Sequence, residues 1–232
     1  MNEETKEYLA LIDDFHGSLE EISIGDVMKE PRKTAILSVD VTNAFCKTGN
    51  LASERVATII DPIVKLFKIA WEKELKDILL IQDCHTPEAE EFEAWAEHAV
   101  CGTEEAEAVD EIQTLPFYDK LVIIEKNSID PSQNTDFDAW LAAHPDKDVY
   151  IVVGDCTDLC VYQLAMHLRT FANANDKDWR IIVPEVCVDT YDLPLETAEE
   201  VGAVAHPADL MHKLFLHHMN LNGIEIVKRI TE

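Results

Sequence analysis

Basic residues are scarce in this chain, and their scarcity excludes several kinds of partner. The 232 residues include 19 lysines and arginines against 46 aspartates and glutamates, which gives a formal net charge of −27. Such a charge repels phosphate backbones and anionic lipid surfaces. We therefore expect neither a nucleic-acid partner nor a membrane partner.

Long apolar runs and signal-peptide features are also lacking. No apolar stretch approaches the roughly 20 residues that cross a bilayer. The first residues, MNEETKEYLALIDDF, are acidic where a signal peptide would be basic. With 7 glycines and 9 prolines the composition is that of a globular chain. The expectation is a cytoplasmic protein, long enough for one α/β domain with a sizeable core.

The sequence also lacks the cysteine spacing of a structural zinc site. Six cysteines are present, and none of their spacings fits a tetrahedral zinc motif. In a cytoplasmic chain cysteines are more often thiols than parts of a disulfide framework. Thiols are therefore expected here rather than a disulfide framework, and no structural zinc site is predicted.

One stretch, residues 149–170, organises the rest of the sequence. Residues 149–153 are apolar and rich in β-branched side chains without alternation, which is typical of a strand buried on both faces. After Gly154 the apolar spacing becomes helical, and Thr157 and Asp158 are placed to cap the helix. Cys160 then lies in the first helical turn, where free N–H groups and the helix dipole favour a thiolate.

Three interpretations of Cys160 are open at this point. It could be a catalytic nucleophile, a small buried hydrophobic residue, or one half of a redox pair with Cys156. A choice among them requires the rest of the chain.

Three other predicted strands end in ionisable residues. TAILSV, from Thr34, leads to Asp40; DILLIQ, from Asp77, leads to Asp83 and His85; residues 120–125 lead to Lys126. Strands alternating with helices predict a three-layer α/β/α domain over residues 32–232, with a mostly parallel, Rossmann-like sheet. Residues 1–31 are predicted to be a helical extension that packs on this domain or on a second subunit.

The carboxyl ends of parallel strands form the usual ligand-binding edge of such a sheet. A thiol, a carboxylate and an ammonium group at that edge make a nucleophilic set. Asp40 could accept the proton of Cys160 while Lys126 stabilises the thiolate.

These residues resemble the cysteine hydrolase superfamily that contains the nicotinamidases and isochorismatases, from about residue 34 to the C-terminus. Its Asp, Lys, Cys triad would fall on Asp40 in VDVTNAF, Lys126 in IEKNS and Cys160 in GDCTDLCV. The resemblance implies an isochorismatase-like fold and a cis peptide bond from Asp155 to Cys156. It also implies an oxyanion hole formed by the N–H groups of Cys156 and Cys160.

The resemblance to nicotinamidases further implies a divalent metal ion beside the triad. Its ligands would be Asp83 and His85 in DCH, and His98 in WAEH. Glu91 stands seven residues before His98, as in relatives that use glutamate as a further ligand; alternatively, it belongs to a solvated acidic run. Oxygen and nitrogen donors suit zinc, which is the ion expected here, and also manganese or iron(II).

For nicotinamide, the resemblance implies that the metal receives the pyridine nitrogen and that Phe45 and Trp95 sandwich the ring. Core packing is the alternative interpretation of these two aromatic residues. The leading hypothesis is a homo-oligomeric amidohydrolase that converts nicotinamide to nicotinate and ammonia through a thioester. The alternatives are hydrolysis of another small amide, a carbamoyl compound or an enol-pyruvyl ether, and a non-catalytic binding protein. The C-terminal histidines, His212, His217 and His218, are expected at the surface.

Overall fold

A sheet of seven parallel strands runs through the computed structural model, which describes residues 2–232. The strands of this chain are β1 (Glu21–Ser23), β2 (Thr34–Val39), β3 (Ile78–Asp83), β4 (Val122–Lys126), β5 (Val149–Asp155), β6 (Arg180–Pro184), β7 (Val188–Asp189), β8 (Glu225–Val227) and β9 (Arg229–Thr231). The main sheet has the order β4-β3-β2-β5-β6-β8, with β7 paired to the carboxyl end of β5. β1 and β9 form a separate parallel pair.

Helices cover both faces of the main sheet. They are α1 (Glu3–Gly17), α2 (Ile24–Val27), α3 (Asn43–Cys46), α4 (Glu54–Ala57), α5 (Ile60–Glu72), α6 (Asp110–Gln113), α7 (Phe137–Ala143), α8 (Cys160–Ala174), α9 (Leu195–Val201) and α10 (Ala208–Leu221). The predicted three-layer α/β/α architecture is confirmed. No helix within residues 2–232 is long and apolar enough to span a membrane.

The continuous apolar runs of the central strands fill two separate cores, one on each face of the sheet. In β2, Leu37 belongs to the core beneath α8 and α10, while its neighbour Ile36 belongs to the core beneath α5. Successive side chains of a strand point to opposite faces, so a strand that is covered on both sides is apolar throughout. This is why no alternation was visible in the sequence.

Helix α8 begins later than the capping pattern predicted. Cys160 is its first residue, and the residue before it makes no side-chain cap. Thr157 instead contacts His212, with Oγ1 2.8 Å from Nδ1, and Asp158 contacts His206, with Oδ2 2.7 Å from Nε2. The prediction that Thr157 and Asp158 cap α8 was therefore wrong, because tertiary partners compete for both side chains.

The N-terminal residues pack against the C-terminal part of the same chain. Lys213 of α10 forms an ion pair of 2.7 Å with Asp13 of α1, and Phe15 packs edge-on against His217. Beyond α1, strand β1 pairs with β9, so residues 2–31 contain a strand as well as helix. His212 is only 5 % exposed, which contradicts the predicted surface position, because α1 covers this part of α10.

Candidate active site

The register of the sheet brings the predicted residues to one edge. Asp83 and Lys126 are the last residues of β3 and β4, and they are paired across the two strands. Asp40 follows β2 directly and adopts a positive φ of 55°. Its N–H donates to the carbonyl of Ile81 at 2.9 Å, and its Oδ1 accepts from the N–H of Asp83 at 2.8 Å. These bonds fix the Asp40 carboxylate beside Asp83.

Lys126 is the centre of the cluster. Its Nζ lies 2.8 Å from Oδ2 of Asp40, 2.5 Å from Oδ1 of Asp83 and 3.5 Å from Sγ of Cys160. All four side chains are buried. Oxygen atoms of Asp40 and Asp83 and the sulfur of Cys160 lie within 4.8 Å of one another. The structure thus brings together the four residues that the sequence placed at this edge.

The charges of the cluster affect the pKa values of Asp40 and Cys160 differently. Burial and the nearby Asp83 raise the pKa of Asp40 to about 6, although Lys126 opposes them. Burial also raises the pKa of Cys160 well above its usual range; Lys126 lowers it, but the two carboxylates add to the rise. Cys160 therefore rests as a thiol rather than the thiolate expected from its place in α8. Burial and two negative neighbours outweigh the helix terminus and one ammonium group.

Lys126 and Asp83 each keep the other in its charged form. Burial acts to lower the pKa of Lys126, but Asp40 and Asp83 raise it well above its usual range. Burial acts to raise the pKa of Asp83, but Lys126 and the histidines near it lower it. An ammonium group and a carboxylate are thus the stable forms of Lys126 and Asp83.

The loop between β5 and α8 has the backbone that the resemblance implied. The peptide bond from Asp155 to Cys156 is cis. The carbonyl of Cys156 accepts from the N–H groups of Leu159 and Val161 at 3.0 and 3.2 Å. Among residues 2–232, the N–H groups of Cys156 and Cys160 have no backbone or side-chain acceptor. Two unpaired N–H donors are what an oxyanion hole requires.

Three predicted metal ligands meet beside Lys126. Nε2 of His85 and Nε2 of His98 lie 3.5 and 3.8 Å from Oδ2 of Asp83. The other ring nitrogens are engaged: Nδ1 of His85 is 2.8 Å from Oδ1 of Asn127, and Nδ1 of His98 is 2.8 Å from a backbone carbonyl.

Such outer contacts orient metal-bound histidines. Nε2 of His85 is buried and has no hydrogen-bond partner among the described residues, so these three side chains fit a divalent ion. Burial acts to lower the pKa of His85, but the neighbouring Asp83 raises it above its usual value.

Glu91 is not part of this buried set. Within residues 2–232, the metal-type cluster contains Asp83, His85 and His98 only. Glu91 is half-buried in the turn at Glu90–Glu93, and its charge contributes to the raised pKa of His85. The structure therefore places Glu91 near the histidines without bringing its carboxylate to their nitrogen atoms.

A disulfide closes the segment that carries Glu91 and His98. Cys84 and Cys101 are bonded, which is contrary to the expectation of thiols for these two cysteines. The bond is possible because the segment returns to β3: the N–H of His85 donates to Ala99, and the N–H of Cys101 donates to His85, both at 2.9 Å. The same return places His98 beside His85.

Phe45 and Trp95, the predicted substrate-binding aromatic residues, pack against different partners. Phe45 packs edge-on against His98, with the ring centroids 5.4 Å apart, and Trp95 packs edge-on against Tyr191 at 6.0 Å. Phe92 lies 5.4 Å from the His85 ring and 5.6 Å from the His98 ring. Phe92 thus covers both histidines.

Sequence reasoning missed three residues of the site. Phe92 covers the metal-type cluster, Asn127 orients His85, and Asp155 is buried with Oδ2 unpaired within the described chain. Burial and the nearby Asp40 raise the pKa of Asp155 well above its usual value. Asn127 and Asp155 could have been proposed from the sequence, because each is a polar residue at or next to the carboxyl end of a predicted strand. Phe92 could not, since its position depends on how the acidic segment folds back.

The Rossmann-like sheet and the Asp, Lys and Cys residues at its carboxyl edge are typical of one class of protein, the cysteine hydrolases. Residues 34–227 match the isochorismatase domain. The chain belongs to the isochorismatase family and is therefore a hydrolase of that family.

Individual relatives refine this comparison. The chain is 28 % identical over 222 residues to nicotinamidase 1 of Arabidopsis thaliana. The aligned region covers 88 % of this chain and 89 % of the relative. A nicotinamidase from Bacillus subtilis has a similar structure, with a TM-score of 0.66 and 23 % identity over 84 % of this chain and 99 % of the other.

N-carbamoylsarcosine amidase from Thermoplasma acidophilum is about equally similar in structure. Its TM-score is 0.65, with 23 % identity over 84 % of this chain and 96 % of the other. At such identities the two solved structures demonstrate the shared fold alone.

Proposed function

We propose that this protein hydrolyses nicotinamide to nicotinate and ammonia, with Cys160 as the nucleophile. The observation that carries the proposal is the position of Lys126 Nζ, 2.8 Å from Asp40 and 3.5 Å from Cys160, beside the buried Asp83, His85 and His98. A buried charge network of this kind at the carboxyl edge of a parallel sheet is characteristic of a catalytic site. The 28 % identical nicotinamidase supports the choice of substrate.

In the first half-reaction, Asp40 takes the proton from the Cys160 thiol as Sγ attacks the carboxamide carbon. A base is needed, because the raised pKa of Cys160 keeps it as a thiol. The carbonyl oxygen becomes an oxyanion, which the N–H groups of Cys156 and Cys160 stabilise. Lys126 holds Asp40 in place and offsets the negative charge that forms.

Asp40 then passes its proton to the amide nitrogen, and the C–N bond breaks to release ammonia and leave the Cys160 thioester, which ends the first half-reaction. Water then attacks the thioester carbon while Asp40 accepts one of the water's protons. The C–S bond breaks, the proton returns to Sγ of Cys160, and the carboxylic acid leaves. One water molecule is consumed, and the enzyme returns to its starting state.

The cofactor in this proposal is a divalent ion, zinc by preference, held by Asp83, His85 and His98. When bound, it supplies a Lewis acid that anchors the heteroatom of the substrate ring. Phe45 and Trp95 would flank the ring. Glu91 is proposed as an additional ligand that reaches the ion directly or through water. A homo-oligomeric state and a cytoplasmic location stay predictions.

The test is ammonia release from a panel containing nicotinamide, benzamide and an N-carbamoyl amino acid. Nicotinamide should be hydrolysed fastest, and benzamide far more slowly, because it lacks the ring nitrogen. Cys160→Ala should lower kcat by about 10⁴-fold or more. Cys156→Ala is the matched control, and it should retain much of the activity because only its backbone N–H is used.

Other outcomes would redirect the proposal. Preference for the carbamoyl compound would place the protein nearer the amidase from Thermoplasma acidophilum, whose fold it shares. An equal loss in Cys160→Ala and Cys156→Ala, reversed by reductant, would support the redox pair. Absence of turnover on every amide would support a binding function.

A further inference from the structure

A second cluster of metal-type side chains lies outside the candidate active site. His16 of α1, Glu185 just after β6 and His212 of α10 bring one nitrogen or oxygen atom each within 4.8 Å of the others. Nε2 of His16 is 3.0 Å from Oε1 of Glu185, and Nε2 of His212 is 3.8 Å from the same oxygen. The cluster shares no residue with the set around Asp83.

All three side chains are largely buried. Their exposed fractions are 20 % for His16, 13 % for Glu185 and 7 % for His212. They line a cavity of about 420 Å³ that opens to solvent and provides an entry path. The cluster exists only because α1 packs on α10, since His16 lies before the matched family domain at residues 34–227.

The second nitrogen of His212 is already engaged, as in a metal-binding histidine. Its Nδ1 is 2.8 Å from Oγ1 of Thr157, a buried residue of the loop before α8. When Nδ1 donates its proton to Thr157, Nε2 carries the free lone pair. At 3.8 Å that Nε2 is too far from Glu185 for a hydrogen bond, so the observed contacts leave it unused.

The spacing of the cluster suits a small transition-metal ion. Tetrahedral zinc with bonds of about 2.0 to 2.1 Å holds its ligands roughly 3.3 Å apart. The two distances to Glu185, 3.0 and 3.8 Å, bracket that value. They resemble the 3.5 and 3.8 Å that separate His85 and His98 from Asp83.

Nearby charges act in both directions. Nζ of Lys228 is 2.7 Å from Oε2 of Glu185 and reduces the negative charge available to an ion. Oε1 remains directed at the two histidines. Asp189 and Asp209 also line the cavity and favour a cation, whereas Arg55, Lys213 and Arg229 oppose one. Two imidazoles and one carboxylate are a donor set typical of zinc sites.

We propose that His16, Glu185 and His212 form a second divalent transition-metal site, of zinc type, that fastens α1 to the body of the domain. The ion joins three elements that are far apart in sequence. It also holds His212 in the orientation in which it contacts Thr157. The site is independent of the proposed amidase activity.

The test counts metal ions in the full-length chain after removal of metal with a chelator. In a His85→Ala parent, which disables the set around Asp83, zinc titration should give one tight equivalent per chain. Adding His16→Ala should remove that equivalent. His217→Ala is the matched control, because His217 also contacts α1 but lies outside the cluster. It should keep the equivalent.

Two further readouts separate metal binding from simple packing. Cobalt(II) should give the visible absorption of a tetrahedral complex in the parent but not with His16→Ala. Zinc at 100 times its Kd should slow amide hydrogen exchange in α1 by about 100-fold if local opening breaks the site. If His85→Ala folds poorly, the unmodified chain should bind two ions and the His16→Ala chain one.

The opposite results would overturn the proposal. These are an absence of zinc binding in the His85→Ala parent at micromolar metal, or equal binding with and without His16. Either would mean that the three side chains form only a hydrogen-bonded contact.

Discussion

Replacing Lys126 by methionine tests the charge arrangement at the centre of the site. Methionine keeps an unbranched chain of similar length but removes the ammonium group, which lies 2.8 Å from Asp40 and 2.5 Å from Asp83. The Lys126 side chain has no exposed surface, and those of the two aspartates are 1 and 2 % exposed. Water therefore cannot replace the lost cation without rearrangement.

The expected loss of stability is large. Removing one partner of a buried ion pair costs about 3 to 5 kcal/mol, because the other charge stays buried and unpaired. Here two carboxylates are left, so the loss should reach at least that range. A domain is stable by only about 5 to 15 kcal/mol in total. The double variant Asp40→Asn/Lys126→Met removes one of the two orphaned charges and should recover about 1 to 2 kcal/mol.

The sign of the pH dependence follows from the same groups. In the intact protein burial acts to raise the pKa of both carboxyl groups and Lys126 opposes it, so that the pKa of Asp40 is raised to about 6 while that of Asp83 is lowered. Without Lys126, both pKa values increase. A carboxyl group whose pKa is higher in the folded than in the unfolded state favours folding at low pH and opposes it as pH rises. The loss of unfolding free energy caused by Lys126→Met should therefore grow between about pH 5 and pH 8.

Urea denaturation in the presence of chelator measures these differences. Lys147→Met is the matched control: Lys147 is also buried, but its partner Asp77 is 30 % exposed, so water can solvate the remaining carboxylate. Its loss should stay below about 2 kcal/mol and change little with pH. The reasoning fails if Lys126→Met is as stable as Lys147→Met, or if its deficit shrinks as pH rises.

Three further predictions concern the backbone and the metal. Gly154 has a φ of +116°, and a β-carbon there would overlap the backbone of Val39. Gly154→Ala should therefore lower the free energy of unfolding, measured in urea, by at least about 2 kcal/mol. An unchanged urea midpoint would show that β2 and β5 can separate. Chelation should lower ammonia release but leave Cys160 reactive towards iodoacetamide, and protection of Cys160 would imply that it contacts the ion. Glu91→Ala should weaken binding of one metal equivalent, whereas Glu93→Ala should not; equal affinities measured by zinc titration would exclude Glu91 as a ligand.

The sequence was sufficient for the core of the sheet and the residues at its carboxyl edge. β2, β3 and β5 are buried on both faces, so each is a mostly apolar run that ends at or next to a polar residue. In a parallel sheet those ends must lie together. Asp40, Asp83, Lys126 and Cys160 could therefore be placed in one site by local reasoning, and the family resemblance supplied their proposed roles.

Local reasoning was less successful where side chains had several possible partners. Thr157 looked like a helix cap, yet it contacts His212, a residue 55 positions away along the chain. The protonation of Cys160 was also misjudged, because the helix terminus is visible in the sequence but burial and the two neighbouring carboxylates are not.

Only the tertiary structure decided the long-range contacts. The disulfide from Cys84 to Cys101 depends on the acidic segment folding back on β3, and the burial of His212 depends on α1 lying over α10. Periodicity and capping signals report what happens within about one turn of helix or a few strand residues. Many weak apolar contacts together determine which distant surfaces pack against each other. No single residue or short stretch of the sequence reveals that total.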